Sequence, residues 1–432
     1  MIAACPSDRS NPFSAMRRHR ATALALGLAC ASVAQAEASN APVDSIADAE
    51  AVAAAPAEAN TGWTLGGVLR GRWDVRFNDA HGDGTRRTSN HLSFDTLILK
   101  ADYDGADYFA SAQYRFYGGS VLYSRTGGYR SYPGEVSFPL QGYAGRRLAN
   151  GDRVAIGLQP VVLDEQYWGA QVLGSIGFVV GLEEVYAPGI TYRHDGEGYR
   201  LALGYYPTST PDGKGISRDG ARYSTAFVQG DGYVPNGTST SERDLFAASV
   251  DWDLYKHDDI NISAAASGLH SRLQDESGTP QGDGTRRALA ASVKVSNGTW
   301  RSKVLVARQD ISLPASRDTH VITVGGFDAS YNIATKGTVV LVEVGRPLMV
   351  AGQPFDLYAS LSRFIKDEAE FKDSQRLTLG AAWTHDHLRV SSELLLGRND
   401  PFVGAGQYIS GAAEGGDDRY KTSLFTVISY RF

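Results

Sequence analysis

From Trp63 to Phe77 the chain alternates residue by residue for fifteen positions. Trp63, Leu65, Gly67, Leu69, Gly71, Trp73, Val75 and Phe77 fall on one side. Thr64, Gly66, Val68, Arg70, Arg72, Asp74, Arg76 and Asn78 fall on the other. Successive side chains of a strand point to opposite faces, so this run is a strand with one apolar and one charged face. It is longer than the roughly 5–6 residues of an ordinary strand and long enough for the roughly 9–11 that a tilted strand needs to cross a bilayer. A solvated sheet also alternates, but the length, the Trp residues near both ends and the repetition of the pattern favour a barrel wall with aromatic girdles. Thr422 to Phe432 repeats the pattern: Thr422, Leu424, Thr426, Ile428, Tyr430 and Phe432 share a face, and Ser423, Phe425, Val427, Ser429 and Arg431 share the other.

Between these runs the texture from Thr61 onward is one of short alternating segments and Gly, Asn or Asp turns. Asp95–Tyr103 turns through Asp104-Gly105-Ala106 into Tyr108–Tyr117. Leu140–Leu148 turns through Asn150-Gly151 into Arg153–Gln159, and Val185–Arg193 through Asp195-Gly196 into Tyr199–Tyr206. Leu245–Leu254 turns at His257-Asp258 into Ile260–Ser271, and Arg287–Ser296 through Asn297-Gly298 into Trp300–Gln309. Asn-Gly and Asp-Gly supply the positive φ that tight hairpins need. Longer polar connections separate the hairpins, at 78–90, 118–135, 160–184, 207–243, 272–285 and 399–420. Short turns alternating with long connections define an all-β, antiparallel, up-and-down transmembrane β-barrel over residues 61–432. Direct counting gives 17 segments, an odd number that leaves the two ends of the wall on opposite sides. The conflict falls between Thr319 and Gln375, around Val339–Gly345 and Arg346–Pro354. Sixteen strands is the expected number, with eighteen as the alternative.

The other end of the chain carries an export signal. Met16-Arg17-Arg18-His19-Arg20 precedes the apolar run Ala21–Val33 and then Ala34-Gln35-Ala36, the layout of a cleaved secretory leader over residues 1–36. The true start is either Met1 or Met16. Both cysteines, Cys5 and Cys30, lie in this leader, which suits a mature chain bound for an oxidising compartment; lipidation at Cys30 is the alternative. Residues 37–60, rich in Ala and acids with Pro42 and Pro56, read as a flexible periplasmic lead-in. The net charge is −6, and loss of a leader holding four arginines and one aspartate makes it −9. An acidic chain of this kind is no nucleic-acid binder. The mean hydropathy of −0.25 excludes a helical membrane protein but not a barrel, in which alternate residues face water.

With leader, alternation and terminal aromatics in place, the chain resembles Gram-negative outer-membrane porins. Tyr103-Asp104-Gly105 through Gln113-Tyr114-Arg115-Phe116-Tyr117, the stretches Lys366-Asp367-Glu368 and Phe371-Lys372-Asp373-Ser374-Gln375, and Gly397-Arg398-Asn399-Asp400-Pro401 look like the broad phosphate-selective-porin type. That resemblance implies a non-enzymatic, cofactor-free, water-filled channel of the outer membrane for passive diffusion of small hydrophilic solutes or ions. It also implies a homotrimer embedded in outer-membrane lipid and lipopolysaccharide. Tyr430 and Phe432 look like the terminal signal read by the barrel assembly machinery. The connection after the fifth strand, Pro160 to Glu184, holds the position of a pore-narrowing loop, although the acidic Pro-Glu-Phe-Gly phrase of general porins is missing. A selective channel for anions such as phosphate, or for sugars, is the alternative; a barrel enzyme or adhesin is a more distant one.

Charges on a lipid-facing strand surface cost about 2–4 kcal/mol at the midplane, so Arg70, Arg72 and Arg76, and Arg115 beside Phe109, Ser111 and Gln113, are expected to face water. Opposed by Asp164 and Glu165 on the loop, they would form a constriction with a transverse field. The competing reading is that they merely pair with neighbouring acids such as Asp74. Arg301, Lys303 and Arg389 share the inward parity. Gly82-Asp83-Gly84-Thr85-Arg86-Arg87 recurs at Gly282–Arg287; its arginines could hold lipopolysaccharide phosphate, but convergent turn chemistry explains it more simply. His385-Asp386-His387 lacks a nearby third metal ligand and reads as a solvated turn. No nucleophile elbow or phosphate loop is present.

Overall fold

The computed structural model describes residues 62–80, 84–118, 134–164, 172–215, 217–279, 281–314, 320–404 and 408–432. The expected leader and lead-in, and Glu165, lie outside these residues. In chain order the strands are β1 (Gly62–Ala80), β2 (Arg86–Asp104), β3 (Tyr108–Tyr117), β4 (Val136–Arg147), β5 (Arg153–Pro160), β6 (Tyr186–Gly196), β7 (Tyr199–Thr208), β8 (Arg222–Phe227), β9 (Thr240–His257), β10 (Ile260–Asp275), β11 (Gly284–Asn297), β12 (Arg301–Ser312), β13 (Val321–Phe327), β14 (Ala329–Ala334), β15 (Lys336–Val350), β16 (Gln353–Lys366), β17 (Ser374–His385), β18 (Leu388–Arg398) and β19 (Tyr420–Arg431). One four-residue helix, α1 (Ile176–Val179), follows β5. Sixteen of the strands close into one antiparallel barrel, each pairing with its neighbours, and β1 pairs with β19 across the seam. The expected number, sixteen, is the observed one. Short turns join the strands at one end and long connections at the other. Asp258 and Asp386 reach φ of 49° in the short turns, where their side chains tolerate the left-handed region.

The alternation has the physical meaning it suggested. On β1, Leu65 is 75% exposed and Trp63 66%, whereas Arg72 and Asp74 on the other parity are each 7% exposed. Leu289, Val304, Val342, Leu361, Leu379 and Ile428 continue the exposed apolar band around the wall. An apolar surface running round a whole protein has no counterpart in monomeric water-soluble folds, where patches stay within a few hundred Å². It is the outside of a wall made for lipid.

The odd segment count resolves within the stretch 319–375 where the conflict arose. Val339–Gly345 and Arg346–Pro354 are parts of one strand, β15, as far as Val350. Pro347 does not end it because pairing with β12 stops at Gly345, opposite Arg301, while Pro347 still lies opposite Asp356 of β16. On its β12 side the missing N–H has no ladder bond to lose. Conversely, Val321–Phe327 and Ala329–Ala334 are strands that take no part in the wall. Together with β8 they form a separate three-stranded sheet in the order β14-β13-β8. The nominal polar connection 207–243 therefore contains β8 and the start of β9, and β2 begins at Arg86, well before Asp95.

The seam depends on a glycine. Gly67 and Phe432 exchange two backbone hydrogen bonds, of 2.9 and 3.1 Å. A Cβ at Gly67 would lie 2.5 Å from the Ile98 carbonyl oxygen and 2.6 Å from the Phe432 ring, so only glycine lets that ring settle against β1.

Candidate functional site in the lumen

The described residues of the connection after β5, 161–164 and 172–185, reach the far wall, and Val161 N–H donates to the Val185 carbonyl (2.9 Å) at its base. Its contacts lie on lumen-facing residues of five distant strands. Asp164 accepts from Ser292 of β11 (3.2 Å) and sits 3.5 Å from the Lys303 ammonium of β12. Val172 N–H donates to Glu393 of β18 (2.9 Å), whose carboxylate also accepts from Tyr358 Oη of β16 (2.6 Å). Ile176 N–H donates to Ser362 Oγ, and Ser175 caps α1 by accepting from Gly177 N–H. Such a short helix leaves its end groups to be satisfied by neighbours, and Glu183 supplies another partner by accepting from Ser175 N–H.

Two fully buried arginines clamp this segment from different parts of the wall. Arg376 of β17 makes a bidentate pair with Asp400 (2.6 and 2.8 Å), and its Nη1 donates to the carbonyls of Leu173 (3.1 Å), Gly174 (2.9 Å) and Ser175 (3.4 Å). Arg286 of β11 pairs with Glu242 (3.1 Å), donates to Gln309 and to the Gly181 carbonyl, and stacks on the Phe227 ring at 5.2 Å. Gly181 adopts φ of 74°, a left-handed turn that presents this carbonyl. The small sheet packs on the same segment: Tyr331 Oη donates to the Val179 carbonyl and Thr225 Oγ1 to that of Phe178, each at 2.8 Å. β14 in turn takes up the connection after β18 through Asn332 N–H to Ile409 and Ala334 N–H to Ala412.

Apolar packing completes the insertion. Val162, Leu163, Ile176, Leu182, Ile322 and Ile333 are buried against Tyr206, Leu245, Leu273, Leu305, Leu341 and Phe364 of the wall. A second cluster joins Tyr117, Phe138 and Phe178 to Tyr223, with Phe327 packed on it. At about 25 cal/mol per Å² of apolar surface removed from water, clusters of this size hold the inserted segments in place. Every wall strand has at least one buried lumen-facing side chain, from Arg72 on β1 to Phe425 on β19. The lumen is therefore far narrower than the wall alone would enclose.

Arg70 pairs with Asp95 (2.9 Å); Arg72 pairs with Asp74 (2.8 Å), lies 3.7 Å from Asp95 and stacks over Phe425 at 5.0 Å. Arg115 donates to Tyr117 Oη (3.2 Å) and stacks over Tyr223 at 4.5 Å. Arg76 is half-buried nearer the long connections. Asp164 is brought to the wall opposite these arginines, where Lys303 meets its charge. Phe109, Tyr117 and Tyr206 all face inward; Tyr206 is buried and donates to the Pro160 carbonyl (3.0 Å), pinning the start of the inserted segment. The sequence reading missed Arg286, Arg376, Glu393 and the three-stranded sheet. Arg286 shares the inward parity of Ala288, Ala290 and Ser292, the one signal that separated it from the outward Arg287. The matching Arg86 and Arg87 are both exposed, so the repeated phrase serves two different ends.

Beside the small sheet, Asp219 ties it together by accepting from Ser217 Oγ, Arg222 (3.0 Å) and Ser330 Oγ (2.9 Å). Burial alone would raise its pKa, but these donors outweigh burial and hold its carboxyl below the ordinary carboxylate range. A depressed carboxylate adds stability above its unfolded pKa of about 3.9, and that contribution is lost as pH falls through the lower folded value. Amide exchange in residues 217–239 should therefore stay slow down to about pH 4 and accelerate below it; an Asp219→Asn variant should lose that acid step.

A closed sixteen-stranded antiparallel wall with segments packed into its lumen is the fold of outer-membrane channels. The chain is similar to the anion-selective porin from Comamonas acidovorans (14% identity, 86% of this chain and 99% of that one, TM-score 0.52). It is similar to the outer-membrane channel DcaP of Acinetobacter baumannii (11%, 88% and 100%, 0.53) and to OprB of Pseudomonas putida (11%, 86% and 95%, 0.52). At these identities the likeness is one of fold. No protein-family model and no curated protein matches the chain.

Proposed function

We propose that the chain is a channel of the Gram-negative outer membrane through which small hydrophilic solutes and ions diffuse passively. The observation that carries this reading is the closed wall itself, apolar outside and charged inside, with its lumen narrowed by segments fixed to the wall. The short-turn end would face the periplasm and the long connections the cell exterior. A barrel of this kind needs no cofactor and no energy input: the wall hides the backbone from lipid, and lumen side chains replace part of the solute's hydration shell. Homotrimeric assembly and Tyr430 and Phe432 as the assembly signal belong to the same reading, as do Arg70, Arg72, Arg76, Arg115 and Asp164 along the path. A preference for anions is its second form, supported by the inward arginines and by the name of one structural neighbour, the anion-selective porin.

Liposome swelling tests it. Vesicles carrying the folded protein should admit a pentose faster than a disaccharide, and planar bilayers should show stepwise conductance smaller than an unobstructed sixteen-stranded bore would give. Vesicles impermeable to every solute, together with silent bilayers, would rule the channel out.

A further inference from the structure

We propose that the lumen carries an oxyanion-binding row at its short-turn mouth, made by Arg147, Arg153 and Arg193, and that this row sets the channel's ion preference. The inference rests on the channel reading above and names the site that selects. Arg147 of β4 is the direct cross-strand partner of Arg153 of β5, and Arg153 is the partner of Arg193 of β6. Residues so paired place their side chains on one face, within about 5 Å of each other at Cβ. That face is the lumen: Ala155 and Thr191, two residues along β5 and β6, are buried inside the barrel. Arg147 also lies 5.3 Å over the inward Phe109 ring.

Three like charges on adjacent strands repel, and such pairs destabilise a sheet unless something offsets them. Asp104 meets Arg147 at 2.6 Å and Asp195 meets Arg153 at 2.8 Å. Arg193 is exposed and has no ion pair or hydrogen bond among the described residues. The next strand adds Arg200, 3.9 Å from Asp253, so the row of arginines spans four strands. Its bordering acids are Asp102, which takes a hydrogen bond from Ser111, and Asp251, the cross-strand partner of Arg200. At mid-lumen the balance differs: Arg70 and Arg72 are almost fully covered and are matched by Asp95 and Asp74. Among the described arginines of these two levels, Arg193 at the mouth is the one that is water-exposed without an ion pair or hydrogen bond.

The ligand chemistry follows from the donors. A planar guanidinium offers parallel N–H groups to two oxygens of one carboxylate or phosphate, which a spherical ion cannot use. The Phe109 ring beneath Arg147 lies 6.4 Å from that of Tyr143, an aromatic face on the wall beside the row. The site fits small oxyanions, with carboxylate and phosphate as the two sources.

Reversal potentials across planar bilayers, measured under gradients of potassium acetate and of potassium phosphate, test the proposal. The wild type should favour the anion. Arg193→Gln should lower the permeability ratio of anion to potassium about threefold, the factor one charge gives at about 7 Å across water. Arg193→Lys, which keeps the charge and loses the fork, should recover part of it. A drop confined to acetate marks a carboxylate site, and one confined to phosphate marks a phosphate site. Unchanged ratios in a conducting Arg193→Gln channel overturn the inference, as does a preference abolished by Arg70→Gln with Arg72→Gln alone. Absence of conductance in correctly folded wild type overturns the channel reading instead.

Discussion

Arg376→Ala should destabilise the inserted segment by about 3–5 kcal/mol, the cost of leaving a buried carboxylate without its partner. The substitution strips Asp400 of its bidentate pair and frees three carbonyls, those of Leu173, Gly174 and Ser175. The wall should survive, because its ladder does not depend on this side chain. In planar bilayers the variant should show larger and noisier conductance steps, and limited proteolysis should open the chain between residues 161 and 185. Arg376→Lys should rescue little: an ammonium lacks the fork that grips Asp400 and the carbonyls together. Steps identical to wild type in Arg376→Ala would mean that the segment stays in place without its clamp.

Val342→Arg should cost about 2–4 kcal/mol, the penalty for a cation at mid-depth on the lipid face of a barrel. Val342 is 45% exposed and sits between Val304 and Leu361 on neighbouring strands, with apolar residues on both sides. The same change at Ser312, at the long-connection end of β12, should cost about 0–1 kcal/mol because the interface is wet. Reversible unfolding in lipid vesicles by urea gives both numbers. A cost within about 0.5 kcal/mol at Val342, as for an ordinary surface substitution in water, would contradict a membrane-spanning wall.

Much of the wall was legible because period-two alternation is a local property. For β1, β3 and β19 the side each residue faces could be read directly, Arg72 inward and Trp73 outward among them. The count was harder. Val339–Gly345 and Arg346–Pro354 read as separate stretches, and the stop of β12 opposite Gly345 explains how Pro347 fits inside one strand. Val321 to Gly326 is buried without a break, since both faces of β13 are covered inside the barrel, so it carries no alternation to separate it from a wall strand. The site was less legible still. Parity places Arg376 in the lumen but cannot say that it meets Ser175, 201 residues earlier in the chain. Asp164 was expected to face the arginines of β1 across open water; its pairing with Lys303 follows from the path of the inserted segment, which no local pattern encodes. The glycine-aspartate phrase shared by 82–87 and 282–287 could not separate Arg286 from Arg86 for the same reason: turn chemistry is local, and the burial of Arg286 is not.

The pairing of β1 with β19 makes the order of strands around the wall cyclic. In such a ring no strand is intrinsically first, and the hydrogen bonds between Gly67 and Phe432 bring the two ends of the barrel-forming polypeptide to one rim. A circular permutant, with Phe432 joined to Gly62 through a few glycines and the chain opened at the Asp258-Asp259 turn, would keep every neighbour relation in the wall. Ends that lie close together are what make such rearrangements tolerable. The permutant would also move the closing seam to β9 and β10, and its folding rate would report whether assembly is limited by where the cylinder shuts or by the packing of what lies inside.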